Sequence, residues 1–315
     1  MRKGKTYILT AVLLIVVVGM VALASGCGSS STTASTSPSA TAGQLNGQLT
    51  GTPVENFTKI LGHAPTGRAA AIAESGTIIV ANDPNYAPQS YVDKTTKKLV
   101  GFDIDTAVTM AKILGLKIKW VHPNWETIPS NLNLGQFDVS IGSMTDTKAR
   151  EKEMSFSQAY YYTPAQVFVK KGGTQITGAK DVDGHTVGVG AGTTYYTYLK
   201  KFTSAQVKVY NTDLEALPDL LNGNLDFWMT AAPTGLGAIN DGKAIAFSGK
   251  PLFYEALCFA TKHNETDLVA VFNYALDKMH EVPAGQTESL LTTSSKKWYN
   301  GVDLTVTNGV KPLVF

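Results

Sequence analysis

Ser143, Thr145 and Arg150 stand within the run Gly142-Ser-Met-Thr-Asp-Thr-Lys-Ala-Arg150 and supply two hydroxyls and a guanidinium over a short stretch. Such a set can grip a small carboxylate. Arginine makes two parallel charge-assisted hydrogen bonds to it, and hydroxyls with neighbouring backbone N–H groups fill the remaining lone pairs. The same run also suits a solvated helix start with Asp146 near its first turn, so these residues alone leave both readings open. No other constellation competes for the chemistry. His63, His122, His185, His263 and His280 are scattered, and no nucleophile–base pair is visible. The two cysteines, Cys27 and Cys258, have neither metal-ligand spacing nor the density of a disulfide framework. Cys258, in an apolar run, reads as a buried core thiol.

The chain that must position these groups has 315 residues, 43% hydrophobic and 17% charged, enough for one large or two medium domains with a sizeable core. Removing Arg2, Lys3 and Lys5 from the 27 basic residues leaves 24 against 25 acidic ones, and this near-neutral body argues against nucleic acid as a partner. Residues 1–26 read as a signal peptide, with a positive start and an apolar run over 7–24 that by length alone could also span a bilayer. Leu23-Ala-Ser-Gly-Cys27 resembles a bacterial lipobox, although Leu23 stands one place further from the cysteine than in the commonest form. That resemblance implies cleavage before Cys27 and its lipidation. Residues 27–52 are rich in Ser, Thr, Gly and Ala, with too few large apolar groups to offset their ordering entropy, and are expected to form a flexible tether. Anchor and tether together place the folded body on the extracytoplasmic face of a bacterial cell membrane.

Residues 53–75 carry apolar side chains at helical intervals and predict a short pre-domain helical segment. From residue 77 strand and helix patterns alternate: strands at 77–81, 117–121 and 137–141, helices at 103–114 and up to 134, with a solvated hairpin around 91–100. A second cycle follows, with strands at 186–190, 207–210 and 225–229. A strand at 256–260 and a helix at 268–280 then complete the first cycle. The alternation specifies an α/β fold with ligand groups at the carboxyl ends of strands. The expected lobes are 76–169 with 253–300, and 170–252, followed by a tail over 301–315.

The order of motifs resembles the extracytoplasmic solute-binding proteins of polar amino acid ABC transporters (family 3). The matching pieces are Asn82-Asp-Pro-Asn-Tyr-Ala-Pro88, Leu99-Val-Gly-Phe-Asp-Ile-Asp105, Gly142-Ser-Met-Thr145 with Arg150, Phe156-Ser157 with Tyr160-Tyr161, Val187-Gly-Val-Gly-Ala-Gly-Thr-Thr194 and Lys297-Trp-Tyr299. The resemblance implies a type 2 periplasmic-binding-protein fold: two lobes, each a mixed sheet flanked by helices, crossed twice by the chain and closing on a ligand. It further implies delivery to a membrane permease, no catalysis and no cofactor. Carried over by position, Arg150 pairs with the ligand α-carboxylate, with Thr145 and Ser143 beside it. Thr193 and Thr194 provide the second lobe's contribution, since a Gly-Thr-Thr turn opening a helix offers free N–H groups to an anion. Tyr86 and Trp125 sandwich the ligand side chain, and Asp83 lies at the cleft mouth. Trp125 also reads as an ordinary core aromatic, and Asp83 as a turn former.

One departure bears on the ligand. In the family the strand equivalent to 225–229 ends in Thr-Asp, whose Asp neutralises the ligand α-ammonium; here Ala231 stands in its place. A buried ammonium without a counter-charge costs several kcal/mol, so the site is expected either to recruit another acid, with Asp146 and Glu255 as candidates, or to take a carboxylate lacking the amine. The function expected is a monomeric, lipid-anchored binding protein for an amino acid or related small carboxylate, with no metal. A dehydratase-like enzyme on the same scaffold and a ligand sensor are the alternatives.

Overall fold

The structure, a computed structural model, describes residues 45–307, 309 and 311–313. The signal peptide, Cys27 and most of the tether lie outside the described residues. The last part of the predicted tether, 45–52, is docked rather than free. Leu45 packs on the first core, and Leu49 N–H donates to Ile113 O at 3.0 Å. Thr52 and Glu55 form a capping box that starts α1 (Pro53–Leu61), which Gly62 ends in the left-handed conformation. α2 (Gly67–Ser75) follows, and Phe57 and Ile72 are buried against the first core.

Chain order continues with β1 (Thr77–Ala81), a small sheet of β2 (Asn85–Tyr86), β3 (Ser90–Val92) and β4 (Leu99–Val100), then α3 (Phe102–Leu114), β5 (Lys117–Val121), α4 (Ile128–Asn133) and β6 (Val139–Thr145). The long β7 (Met154–Lys170) leads to β8 (Thr186–Gly190), α5 (Thr194–Phe202), β9 (Gln206–Tyr210), α6 (Leu217–Asn222), β10 (Phe227–Ala231) and α7 (Ala232–Asn240). The long β11 (Ile245–Lys262) returns to α8 (Thr266–His280) and α9 (Leu290–Trp298). Among the described residues no helix is long and apolar enough to cross a membrane.

The main sheet has the order β5-β1-β6-β11-β7-β10-β8-β9. Its outer pairs are parallel, whereas β11 and β7 run antiparallel to each other and to β6 and β10. These two long strands are the expected crossings. Tyr160 and Phe259 lie in the first core with Phe102, Met110 and Phe272, while Ala165, Val167 and Val169 lie in the second with Val187, Leu199 and Phe227. The lobe boundaries expected after 169 and before 253 therefore shift: residues 165–169 and Phe253 pack with the second lobe. An apolar run marked only 256–260 of β11 as strand, yet β7 and β11 span 17 and 18 residues. Pro164 obscured the continuity of β7. It is tolerated because β10 pairs with β7 only from Ala165 onward. The tail is also docked, with Leu304 O accepting from Tyr162 N–H at 2.7 Å and Leu313 N–H donating to Tyr254 O at 2.9 Å.

Gly101 has φ +134°, and a Cβ there would lie 2.2 Å from Gln89 O, whose carbonyl accepts Asp103 N–H at 2.9 Å. Gly101→Ala should therefore lower the unfolding free energy by about 2 kcal/mol or more, whereas Gly62→Ala, with φ +76° but nothing within 4 Å, should lose about 1 kcal/mol. Urea denaturation of the two variants checks the order.

Candidate functional site

The carboxyl ends of β1, β5, β6, β8 and β9 all open on one cleft between the two cores, which is where parallel strands place ligand groups. Arg150 stands at its base, in a single 3₁₀ turn after β6. Its Nη1 donates to Thr145 O and its Nη2 to Gly192 O, both at 2.9 Å. The guanidinium carbon lies 5.6 Å from the Trp125 ring centroid, and Trp125 Nε1 donates to the same Gly192 carbonyl at 3.5 Å. Burial pulls the guanidinium below the usual arginine range, with the Glu255 charge acting in the opposite sense. Two donors hold the group in place, and the rest of its fixed fork remains for a planar acceptor.

Across the cleft α5 begins. Thr193 is its N-cap, accepting from Tyr196 N–H at 3.2 Å and donating its hydroxyl to Gly190 O at 2.8 Å. The first turn of the helix thus points its unpaired N–H groups and positive dipole end toward Arg150.

Acids supply most of the remaining polarity. Glu255 on β11 is 1% exposed and accepts the Thr145 hydroxyl at 2.7 Å and the Thr194 hydroxyl. Burial pushes its carboxyl up, opposed by those hydroxyls, by Tyr195 and by Arg150. Asp213, in the loop after β9, is 6% exposed; its Oδ1 accepts Gly190 N–H at 2.8 Å and its Oδ2 accepts the Thr230 hydroxyl at 2.9 Å. Burial pushes Asp213 up to about 7, with Thr230 and Gly190 lowering it and Glu255 and Asp83 raising it further. Only glycine serves at 190, because a Cβ there would come within 2.5 Å of Asp213 Oδ1. Asp83, half-buried at the rim, closes a turn by accepting Asn85 N–H at 2.8 Å, and burial raises its carboxyl as well.

A buried network underlies the first lobe's side of the cleft. Asp103 accepts the hydroxyls of Tyr160 at 2.6 Å and Ser143 at 2.8 Å, Tyr161 donates to Ser143 Oγ at 2.7 Å, and Ser143 N–H donates to the Tyr160 hydroxyl at 3.0 Å. Ser143 has φ +61°, a left-handed conformation rarely taken by serine. Complete burial pushes Asp103 up to about 7 despite its two hydroxyl donors.

Of the residues singled out from sequence, Asp83, Tyr86, Trp125, Ser143, Thr145, Arg150, Thr193, Thr194 and Glu255 all line this cleft. Their roles are more particular than the motif suggested. Thr145 and Thr194 give their hydroxyls to Glu255, Ser143 gives its own to Asp103, and Trp125 presents one face to Arg150. Asp146 is not brought to the cleft. It is the residue following β6, its N–H donating to Ala256 O at 3.3 Å, and it lines a separate depression with Glu151 and Met154. Asp213, Tyr195 and Thr163 line the cleft without having been singled out. For Asp213 one signal was available, its place directly after a parallel strand, but Thr212-Asp213 reads equally well as a helix start.

The sequence pattern of the bacterial extracellular solute-binding proteins, family 3, matches residues 78–300. The L-cystine-binding protein TcyJ of Escherichia coli (strain K12) is 29% identical over 246 residues, covering 77% of this chain and 89% of the relative. Among solved structures, an ancestral arginine-binding protein bound to arginine superposes with a TM-score of 0.65 at 30% identity, over 71% of this chain and 98% of that one. An ancestral amino acid-binding protein described as a precursor of cyclohexadienyl dehydratase gives 0.66 at 28% identity, over 73% and 98%.

The buried network carries a pH signature. Asp103 keeps its proton in the folded protein up to about 7, whereas the unfolded chain releases it near 3.8. The folded state therefore binds more protons between these values, so Asp103 makes stability fall as pH rises from about 4 to 7, with no further effect above. Asp103→Asn should flatten that decline. Comparing urea unfolding of variant and parent at pH 5 and pH 8 checks it, and an unchanged difference between the two pH values would contradict it.

Proposed function

The chain belongs to the bacterial extracellular solute-binding proteins, family 3, and on that premise we propose that it binds one free amino acid in the cleft and hands it to the permease of an ABC importer. The observation that carries this reading is the pairing of Arg150 with the α5 N-terminus across the cleft. A carboxylate between them would meet the remaining guanidinium donors on one side and free helix N–H groups on the other. Glu255, buried beside Arg150, supports the α-amine as the second feature recognised. It supplies the negative charge absent at Ala231, in a place where an α-ammonium adjoining that carboxylate would sit. This favours an amino acid over the des-amino ligand class. Tyr86 forms part of the wall against the ligand side chain.

The protein works as a monomer tethered through a lipid on Cys27, on the extracytoplasmic face of the membrane. Binding and release follow a hinge motion about β7 and β11, whose mutual register shifts between Ser248 and Phe253 at the passage from one core to the other. Gln89 Nε2 donates to Thr234 Oγ1 at 3.2 Å and Arg150 to Gly192 O, so these side chains fasten the closed form from one lobe to the other. One observation favours a second reading, dehydration of a carboxylated ring: Asp213 offers the cleft an acid with its pKa near 7. Recovery of unchanged ligand after incubation separates binding from turnover.

The test is calorimetric titration of the purified protein, unfolded and refolded to strip carried-over ligand, against amino acids and their des-amino counterparts. Heat is expected with an amino acid and not with its des-amino partner. Arg150→Ala should weaken binding by about a hundredfold or more while the thermal unfolding temperature changes little; near-normal affinity in that variant would sink the assignment.

A further inference from the structure

Asp213 is unexplained by a grip on the α-carboxylate and α-ammonium alone. The cleft's charged lining is one cation, Arg150, and three carboxylates, Asp83, Asp213 and Glu255. An α-amino acid head group brings one negative and one positive charge. Arg150 answers the first and Glu255 the second, leaving Asp213 and Asp83. Asp213 is the more buried of the two and has no lysine, arginine or histidine nitrogen within 4 Å among the described residues. Its two hydrogen bonds, from Gly190 N–H and the Thr230 hydroxyl, fix the carboxylate and use two of its roughly four lone-pair positions. The backbone is shaped to admit it, since a side chain at 190 would occupy its place. A carboxylate so held and so dry, facing a ligand cleft without a cation, is an arrangement completed by a cation from the ligand.

We propose that Asp213 is a specificity-determining residue that pairs with a cationic nitrogen on the ligand side chain, with Asp83 facing it from the rim, so that the substrate class is amino acids with a positively charged side chain. The inference rests on the binding reading above and narrows it. Neutral side chains would leave Asp213 buried beside Glu255 and Asp83 with only a proton to neutralise it, whereas a cationic nitrogen pairs with it as the ionised carboxylate. Cystine brings a second ammonium that could meet Asp213, but a second carboxylate comes with it. Its second carboxylate needs a second cation, and Arg150 is the only lysine, arginine or histidine among the lining residues.

The experiment is calorimetric titration of the refolded full chain with L-arginine and L-lysine, with their uncharged counterparts L-citrulline and L-norleucine, and with L-cystine. The parent should bind arginine or lysine at least about 30-fold more tightly than the matched neutral analogue. Asp213→Asn, which keeps the shape and one acceptor, should lose about that factor for the cationic ligand and leave the neutral analogue within about threefold. Asp213→Ser serves as a second variant if Asp213→Asn fails to fold, thermal unfolding being the check. Equal or tighter binding of citrulline, norleucine or cystine by the parent overturns the inference and leaves the binding reading standing. An unchanged cation preference in the folded variants also overturns it. Heat with none of these or other amino acids overturns the binding reading and this inference together.

Discussion

Glu255 is the point through which the two halves of the molecule communicate. It lies on β11, a strand shared by both cores, and it receives one hydroxyl from Thr145 at the end of β6 and another from Thr194 at the start of α5. A carboxylate almost wholly removed from water persists only where donors and an opposite charge replace its hydration. Thr145, Thr194 and Tyr195 are the donors, and Arg150 is the charge. Those donors come from opposite sides of the cleft, so Glu255 ties the two sides together in this arrangement.

Arg150 spans the same two sides. Its guanidinium is bonded to Thr145 O within the first lobe and to Gly192 O in the second, and Trp125 covers one face. In this arrangement the guanidinium is held in one orientation, which limits the side-chain entropy that binding must remove. The support beneath it is equally specific. Ser143 adopts a left-handed backbone conformation that costs on the order of 1 kcal/mol, and its N–H and hydroxyl are both held by the Asp103, Tyr160 and Tyr161 network.

Much of this could be read along the chain. The short parallel strands β1, β5 and β8 were marked by β-branched and apolar runs bounded by Gly, Pro and Asn, and α3 and α8 by their helical periodicity. The long strands were harder. β7 and β11 pass from one environment to another, so their burial pattern changes midway, and a run such as Tyr160-Tyr-Tyr-Thr-Pro164 loses the alternation of a single-faced strand. The end of the tether was misread for a related reason: residues 45–52 are polar in composition but are tied down by backbone hydrogen bonds and an apolar contact from Leu45.

The sequence by itself determined the α/β class, the motif that carries Arg150 and the Gly-Thr-Thr helix start opposite it, because each is written in residue type and local spacing; that Ala231 stands in place of an acid is implied by the family resemblance alone. Tertiary structure alone decided which acids reach the cleft. Asp146, four residues from Arg150 in sequence, is turned to another surface by the strand's alternation. Glu255, 105 positions away, is brought beside Arg150 by the second crossing, and Asp213 by a parallel strand ending at the same cleft. Local pattern specifies an element and the direction of its side chains. Which charges share a low-dielectric space depends on how distant elements meet, and no spacing along the chain records that.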